Sequence, residues 1–359
     1  MEINMSNKKK IALLNFPLDN NFGGNLQRYA LMRVLNEMGY DVTHLSTQFQ
    51  FEDNCSAFKR ITSYIKYKFG LYPSNYIPAW IRQSKYKKGL KAIMPFYNRY
   101  IKHTNPIYNY ENLCAYQDFD IYLVGSDQVW RRSMNGFFPY AAMFFDFIKQ
   151  PDKRKIAYGI SLGTTENELS EEDLQEVTPL YKKFYATSVR ENTALSLFEQ
   201  YGWTSPVAQA VLDPTLLLSK AVYNEIISDG RTRNPNGHIF CYVLDFTKEK
   251  ERMIRQTARD LGGKTYMCSL EDNTSIGQWL RNIRDAKYVI TDSYHGVLFS
   301  IIFNRPFLFL ENQRRGNERV SHIIKLLGVN PEYFDWSAIN QRIDEEQEKS
   351  ISFLREVLK

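Results

Sequence analysis

Short apolar runs that are typical of buried strands alternate with amphipathic helical segments along almost all of this chain of 359 residues. The first run, residues 11–16, precedes a helical pattern at 25–38 that Gly39 is placed to end. Such regular alternation favours an α/β fold with parallel sheets. Because 359 residues exceed the size of one compact core, we expect two domains.

A segment rich in Gly and Pro at 228–237 interrupts the alternation and divides the chain into two α/β halves. In the first half, Ser170 and Asp173 form a predicted helix capping box. The predicted strands are 11–16, 42–45, 121–124, 156–160, 185–189, 207–212, 238–244, 265–268, 288–291 and 306–310. The predicted helices include 25–38, 248–261, 276–283, 320–327 and 342–358. Each half therefore has enough strands for a parallel sheet of its own.

The positive charge of the chain is concentrated in residues 54–110. This segment contains 11 of the 46 Lys and Arg residues, whereas all 40 Asp and Glu residues lie outside it. Its aromatic side chains are Tyr64, Tyr67, Phe69, Tyr72, Tyr76, Trp80, Tyr86, Phe96, Tyr97 and Tyr100. This composition suits contact with an anionic membrane surface, or a solvated helical hairpin without a partner. Nucleic acid is not an expected partner, since no reader motif accompanies the basic residues.

Composition also argues against several classes of protein. No apolar run approaches the ~20 residues that a membrane span needs, and the run at 11–16 is too short for a signal peptide, so we expect a cytoplasmic protein. The cysteines, which show no CxxC spacing and are predicted to be reduced thiols, are Cys55, Cys114, Cys241 and Cys268. No His–carboxylate pattern indicates a metal site, so none is expected.

Residues 288–303 are the strongest functional candidate. An apolar run leads into Thr291, Asp292 and Ser293, and His295 and Gly296 then open a second apolar run. A strand, a tight polar turn and a buried helix form half of a βα unit, where ligands bind at the carboxyl end of the strand against free helix N–H groups. This position favours anions and places His295 beside them. The alternative is a histidine whose hydrogen bonds are satisfied at a helix cap.

The loop at 18–27 follows the first predicted strand. In this loop Gly23 and Gly24 permit close approach of a ligand, and Asn20, Asn21 and Asn25 offer amide contacts. The loop is neither a Walker A sequence nor a GxGxxG fingerprint. The alternative is an ordinary βα turn that uses Asn and Gly for positive φ.

Residues 124–131 also follow a predicted strand and place Ser126 and Asp127 at the binding edge of the sheet, while Trp130 is positioned to stack on a sugar ring. The alternative is a turn with a core tryptophan. After the strand at 185–189, Arg190 offers a bidentate fork for a carboxylate or phosphate, unless it forms a surface pair with Glu191. Asp213 is expected to cap the turn that follows it.

These motifs as a set resemble the polysaccharide pyruvyl transferase family. The matching stretches are Asn21-Phe-Gly-Gly-Asn-Leu-Gln-Arg-Tyr-Ala-Leu31, Gly125-Ser-Asp-Gln-Val-Trp130, Ser188-Val-Arg-Glu191, Asp213-Pro214 and Asp292-Ser-Tyr-His-Gly296. The resemblance implies two Rossmann-like domains that face each other across a cleft, as in GT-B glycosyltransferases. They are predicted at 1–230, with the basic insert at about 54–110, and at 231–335, where the donor binds, with a closing helix at 336–359.

The resemblance also implies the reaction: pyruvate moves from phosphoenolpyruvate to a pair of sugar hydroxyls as a cyclic ketal in capsular or exopolysaccharide synthesis, without a cofactor. His295 suits proton transfer near neutral pH, and Asp127 is predicted to act as a base on the acceptor hydroxyl. Predicted donor contacts are Arg190, Ser293, Tyr294 and Gly296. Predicted acceptor contacts are Asn21, Gly23, Gly24, Asn25, Ser126, Gln128 and Trp130.

Two positions depart from the family pattern. Ser293 stands where many members have an arginine, and Gly24 stands where many have an aspartate. Candidates for the missing groups are Arg305, Arg314, Arg315 or Arg319 for the donor contact, and Asp19 or Asp127 for the carboxylate. Two alternatives therefore stay open: a GT-B glycosyltransferase that uses a sugar nucleotide, and a non-catalytic scaffold for glycan assembly. Acceptors in this family are commonly lipid-linked, so the basic insert is expected to contact the inner membrane face.

Overall fold

The computed structural model describes residues 8–51, 56–69, 71, 77–136, 138–268, 273–312 and 315–359. Its strands are β1 (Lys10–Leu14), β2 (Asp41–His44), β3 (Ile121–Asp127), β4 (Arg154–Ile160), β5 (Ala186–Val189), β6 (Gln209–Ala210), β7 (Ile239–Tyr242), β8 (Thr265–Met267), β9 (Tyr288–Thr291) and β10 (Phe307–Phe309). Its helices are α1 (Phe22–Glu37), α2 (Ala57–Lys68), α3 (Ala79–Tyr100), α4 (Tyr110–Cys114), α5 (Glu171–Tyr181), α6 (Asn192–Gln200), α7 (Lys220–Asp229), α8 (Lys248–Asp260), α9 (Ile276–Asp285), α10 (Tyr294–Ile302), α11 (Glu318–Leu327) and α12 (Trp336–Leu358).

The strands form two sheets, in the orders β2-β1-β3-β4-β5-β6 and β10-β9-β7-β8. Neighbouring strands are parallel throughout both sheets. Each order reverses once, between β1 and β3 in the first sheet and between β7 and β9 in the second. Ligands of open parallel sheets bind outside the carboxyl ends of the strands at such a reversal. The predicted α/β class with two Rossmann-like units is confirmed, and the predicted boundary at 230/231 falls between β6 and β7.

Most predicted strands coincide with observed ones, but the strand predicted at 207–212 is only two residues long. It is β6, at the edge of the first sheet, where Gln209 and Ala210 pair with Ser188 and Val189 of β5. Both β6 residues are exposed, so no burial of side chains extends the strand.

Helix α1 begins at Phe22, three residues before its predicted start. The side-chain oxygen of Asn21 accepts a hydrogen bond from the N–H of Gly24 at 3.1 Å and so caps the helix. The two glycines are therefore in the first helical turn and not in a loop. At the start of α5 the predicted capping box of Ser170 and Asp173 is confirmed.

One large apolar cluster joins the two halves of the molecule. Phe22 of α1 stacks on Trp279 of α9 with ring centroids 5.4 Å apart, and it also contacts Tyr242 of β7. Trp279 is fully buried, so this contact excludes water between the first and second units. Burial of aromatic rings of this size is a major source of packing energy.

The last helix returns to the first sheet. The N–H of Leu212 donates to Ser350 Oγ of α12 at 2.9 Å, and Phe353 of α12 packs on Tyr158 of β4 with centroids 6.3 Å apart. The helix begins at Trp336, six residues before the start of the 342–358 pattern. The chain therefore crosses between the units twice, once before β7 and once before α12.

The basic insert contains two helices that differ in burial. Helix α3 joins the core through Ile93 and Tyr97, and the hydroxyl of Tyr97 bonds His44 Nδ1 at 2.7 Å. Helix α2 instead leaves apolar side chains such as Phe58 and Ile61 exposed. Tyr72 and Tyr76, named above among its aromatics, lie outside the described residues. Among the helices of the described segments, none combines the length and apolar character that crossing a bilayer requires.

The cysteines in the described residues form no disulfide bond with one another. Cys241 lies in β7, where burial raises the pKa of its thiol to about 12. Its thiol is therefore protonated at neutral pH and behaves as a small apolar group. Cys55 lies outside the described residues.

Replacing Gly23 by Ala should destabilise the contact between the two units. A Cβ atom on Gly23 would overlap the imidazole ring of His295, whereas one on Gly24 would lie 3.6 Å from Asn21, an ordinary contact. Overpacking of this kind costs about 1–3 kcal/mol. We expect a lower urea midpoint for Gly23→Ala and an unchanged or higher one for Gly24→Ala, measured by circular dichroism. Equal midpoints for the two variants would contradict the packing of Gly23 against His295.

Candidate active site

A cavity of about 270 Å³ lies between the two sheets, at both reversals of strand order. The segments that follow β1 and β3 form most of one wall, and β10 with the segments that follow β7, β9 and β10 forms the other. Its lining side chains are Asn15, Phe16, Pro17, Asp19, Asn21, Gly24, Gln27, Arg28, Phe49, Asp127, Gln128 and Met134 from the first unit, and Leu244, Asp292, Ser293, Tyr294, His295, Phe309, Arg315, Gly316, Arg319 and Val320 from the second. Polar side chains from the ends of β3 and β9 meet in it: Asp127, Gln128, Asp292, Ser293 and His295.

A buried ion network closes the bottom of this cavity. Arg190 Nη2 binds Asp127 Oδ1 at 2.7 Å, Arg190 Nη1 binds Asp213 Oδ2, and Arg319 Nη1 binds Asp127 Oδ1 at 2.8 Å. Burial alone would raise the pKa of Asp127, but the guanidinium groups of Arg190 and Arg319 hold it well below its usual value. Asp127 is therefore an ionised, doubly paired carboxylate and a weak base.

The ring of Tyr294 packs against both guanidinium groups. Arg190 Cζ is 4.9 Å from the ring centroid and Arg319 Cζ is 5.0 Å from it. Both distances fall within the range of cation–π attraction. These contacts fix the first turn of α10 against the network.

His295 lies in that first turn. Ser293 is the N-cap, and its hydroxyl oxygen accepts a hydrogen bond from the Gly296 N–H at 3.4 Å. The side chain of His295 is 7% exposed; its Nε2 lies 3.8 Å from Asp213 Oδ2 and has no hydrogen-bond partner among the described residues. Burial lowers the pKa of His295, although Asp213 and Asp127 oppose the shift. His295 is therefore mainly neutral at pH 7, and its buried Nε2 is available to a ligand.

Asp292 has a structural role beside the cavity. Its carboxylate accepts hydrogen bonds from the Leu244 N–H at 2.6 Å and from Asn312 Nδ2 at 2.9 Å, and it pairs with Lys250 Nζ at 2.6 Å. These bonds connect the ends of β7 and β9 to the segment after β10. They hold the second wall of the cavity in place.

The structure brings about half of the predicted site residues together. Those that line the cavity are Asn21, Gly24, Asp127, Gln128, Ser293, Tyr294 and His295. Arg190 does not line it, because its guanidinium is behind Asp127 and Tyr294 with 1% of the side chain exposed. The alternative of a surface pair with Glu191 is wrong, since Glu191 is fully buried and accepts hydrogen bonds from Ser161 Oγ and two backbone N–H groups. A donor contact by Arg190 stays a prediction.

Trp130 is not placed to stack on a sugar, so that prediction is wrong. Its indole is fully buried, stacks on Phe144 at 4.6 Å and donates from Nε1 to the Met143 carbonyl at 2.9 Å. Ser126 is also buried and donates to the Gly159 carbonyl at 2.9 Å. The alternative of a turn with a core tryptophan describes this segment correctly.

Three more predicted contacts lie behind the cavity wall. Gly23 packs against the His295 ring, and Gly296 packs against the side chain of Thr291. Asn25 is 1% exposed and donates from Nδ2 to the Asp19 carbonyl at 3.0 Å. All three shape the site through packing or backbone hydrogen bonds and do not face a ligand. Asp213 caps the following 3-10 turn as predicted, by accepting from the Thr215 N–H at 2.9 Å.

The structure selects among the arginine candidates for the missing contact at Ser293. Arg315 and Arg319 line the cavity, Arg305 does not, and Arg314 lies outside the described residues. The sequence carried no signal for this choice, because both residues follow β10 without a recognisable motif. Arg28 is a cavity residue to which the motifs assigned no role; its Nη1 donates to Asn25 Oδ1 at 2.7 Å and its Nη2 to the Phe16 carbonyl at 3.0 Å.

Comparison with solved structures gives matches at low identity. UDP-N-acetylglucosamine 2-epimerase from Rickettsia bellii matches with 10% identity and a TM-score of 0.48, over 98% of this chain and 96% of that chain. The putative enzyme of the same description from Listeria monocytogenes matches with 13% identity and a TM-score of 0.43, over 96% and 91%. At these scores the matches add nothing to what the sheet topology shows. No curated protein matches the chain.

The sequence model of the family described as polysaccharide pyruvyl transferase matches residues 21–314. This range is most of the chain and includes both units, the ion network at Asp127 and Arg190, and the turn that carries His295. The chain therefore belongs to the polysaccharide pyruvyl transferase family.

Proposed function

We propose that this protein transfers pyruvate from phosphoenolpyruvate to a pair of hydroxyls on a glycan, forming a cyclic ketal in the biosynthesis of a surface polysaccharide. The observation that carries the proposal is that Arg315 and Arg319 line the same wall of the cavity as the buried imidazole of His295. A donor with two anionic groups needs cations, and proton transfer to carbon needs a titratable group beside them.

Arg315 and Arg319 are suited to replace the arginine that is missing at Ser293. Arg315 Nε pairs with Asp245 Oδ2 at 2.6 Å, and its side chain remains 34% exposed toward the cavity. Arg319 is deeper, and its Nε has no hydrogen-bond partner among the described residues. Both lie near the N-terminus of α10, where the helix dipole also favours anions. We assign the carboxylate and phosphate of the donor to this region.

His295 is suited to give a proton to the enol carbon of the donor. Addition of a hydroxyl to the neighbouring carbon requires that proton, and loss of phosphate follows when the second hydroxyl attacks. The proton must return to His295 in each turnover. Burial favours the neutral imidazole, and the nearby carboxylates of Asp213 and Asp127 favour the protonated one, so both forms are accessible during the cycle. The opposite wall, with Asn21, Gly24 and Gln128, is left for the acceptor.

The first test is binding of the donor. We expect phosphoenolpyruvate to raise the melting temperature of the chain, because a ligand that binds only the native state at 100 times its Kd adds about 2.7 kcal/mol of stability. Arg315→Gln should weaken binding about tenfold or more, since a hydrogen bond to a charged group contributes about 1.5–3 kcal/mol. Arg355→Gln, on the exposed face of α12, is the matched control.

UDP- and GDP-sugars are measured beside phosphoenolpyruvate in the same titration. A rise in melting temperature with a sugar nucleotide alone would contradict the proposed donor. It would favour the glycosyltransferase alternative, in which the same arginines hold a diphosphate.

Replacing His295 by Gln should strongly reduce transfer and leave the fold intact. The assay follows radiolabelled pyruvate from phosphoenolpyruvate into acid-labile ketal on a glycan extract of the source cells. General acid catalysis contributes about 10²–10⁴-fold, and we expect a loss in that range. Because His295 must be protonated to act as the acid, and burial lowers its pKa, wild-type transfer should fall as pH rises through a midpoint below 6.5.

His238→Gln, at the exposed start of β7, is the control for the loss of a histidine. Unchanged transfer in His295→Gln would exclude the proposed acid. Normal polysaccharide pyruvylation in cells that carry only the variant would favour a scaffold.

We further propose that α2 contacts an anionic membrane where a lipid-linked acceptor is presented. Apolar side chains on α2 and just after it are unusually exposed: Phe58 76%, Ile61 61%, Ile65 48% and Phe69 75%. The same helix carries Lys59, Arg60, Lys66 and Lys68 and no acidic residue. Exposed apolar groups beside cations are typical of interfacial helices that bind anionic lipid.

A flotation experiment tests this contact. The double variant Phe58→Ser/Phe69→Ser should lose binding to vesicles that contain phosphatidylglycerol, and Tyr333→Ser, also exposed on another surface, should bind like the wild type. These point changes are preferable to deleting residues 54–110, which would remove Ile93 and Tyr97 from the core. Equal flotation of all three proteins would favour the solvated hairpin.

A further inference from the structure

Three carboxylates line the cavity within the described residues: Asp19, Asp127 and Asp292. Two of them are engaged by cations. Asp127 pairs with Arg190 and Arg319, and Asp292 pairs with Lys250 and accepts three further hydrogen bonds. Both ion pairs of Asp127 are formed by Oδ1, and its Oδ2 accepts one long hydrogen bond, from Gln27 Nε2 at 3.5 Å. The two neighbouring guanidinium groups stabilise the ionised carboxylate and make it a weak base.

Asp19 differs from both. It lies in the segment after β1, and its Oδ1 accepts one hydrogen bond, from the Asn21 N–H at 3.0 Å. Among the described residues it forms no ion pair within 4.0 Å. Asn21 and Gly24, two of the predicted acceptor contacts, line the same wall. Among the described residues that line the cavity, Asp19 is thus the carboxylate without a cation partner, and it lies on the wall of the predicted acceptor contacts.

Resting on the function proposed above, we propose that Asp19 is the catalytic base that takes the proton of the attacking acceptor hydroxyl, in place of Asp127. Asp127 has a different role, because its two ion pairs keep Arg190 and Arg319 in place behind the donor.

The charges around Asp19 support this assignment. Burial raises the pKa of Asp19, even though the Asn21 N–H and the nearby Arg28 and Arg315 oppose the shift, and Asp127 adds to it. Asp127 is buried too, but its paired arginines, Arg190 and Arg319, lower its pKa. Two carboxylates whose pKa values move apart have different roles, and the one with the higher pKa is the stronger base.

Asp19 and His295 together account for every proton that moves in the reaction. In the first step the hydroxyl O–H bond breaks, its proton passes to Asp19, and the oxygen bonds to C2 of phosphoenolpyruvate. The C2–C3 π electrons take a proton from protonated His295, and C3 becomes a methyl group. In the second step the other hydroxyl gives its proton to His295 and bonds to C2, and the C2–O bond to phosphate breaks. Phosphate leaves with the proton held by Asp19, so both side chains are restored.

The test is transfer of radiolabelled pyruvate to the glycan extract, together with the melting temperature in phosphoenolpyruvate. Asp19→Asn should lower transfer by about 10²–10⁴-fold, the usual contribution of a general base, while the shift with phosphoenolpyruvate is retained. Asp19→Glu should restore part of the transfer. In the wild type, transfer should fall as pH falls through the raised pKa of Asp19, since the base must be ionised. In Asp19→Glu this acid limb should move.

Asp118→Asn is the matched control, because that side chain is 95% exposed and remote from the cavity. Transfer at the wild-type level in Asp19→Asn would overturn the assignment. Loss of the phosphoenolpyruvate shift together with transfer would also overturn it, since Asp19 would then act in donor binding or folding. If the wild-type chain itself transferred no pyruvate, the proposed function would fail and the role of Asp19 with it.

Discussion

The ion network of Arg190, Asp127, Asp213 and Arg319 is the constraint on which the site depends. Asp127 and Arg319 come from different units, so this salt bridge crosses the cleft. All four groups are removed from water, and loss of one would leave an uncompensated charge that costs about 3–5 kcal/mol. Arg190 and Arg319 of the network also contact the ring of Tyr294 and so fix the helical turn that carries His295. The same network therefore determines both the charges at the site and the position of His295.

The position of the cavity follows from topology before any side chain is considered. Each sheet reverses its strand order once, and the segments after β1, β3, β7 and β9 meet where the two reversals face each other. The second wall contributes Arg315, Arg319 and the N-terminus of α10, all of which favour anions. The first wall contributes amides, the carboxylates Asp19 and Asp127, and Arg28, whose guanidinium donates to Asn25 and to the Phe16 carbonyl. The proposed division assigns the donor to the second wall and the acceptor to the first.

Local patterns predicted the strands, the capping box and the turn at His295 because each depends on neighbours in the sequence. Trp130 was misassigned because a tryptophan after a strand has the same local pattern in a core as at a sugar site, and only its contacts with Phe144 and Met143 distinguish the two. Arg319 could not be selected from the sequence, since its partner Asp127 is 192 positions away. The pairing of Asp127 was hidden for the same reason, because both of its guanidinium partners are distant in sequence.

The return of α12 to the first sheet joins the two units away from the cavity, through Leu212 and Tyr158. The salt bridge between Asp127 and Arg319 joins them again inside the cavity. That bridge uses Nη1 of Arg319, whereas its Nε has no hydrogen-bond partner among the described residues. An anion that binds this Nε would therefore be held by the same side chain that connects the two halves of the molecule.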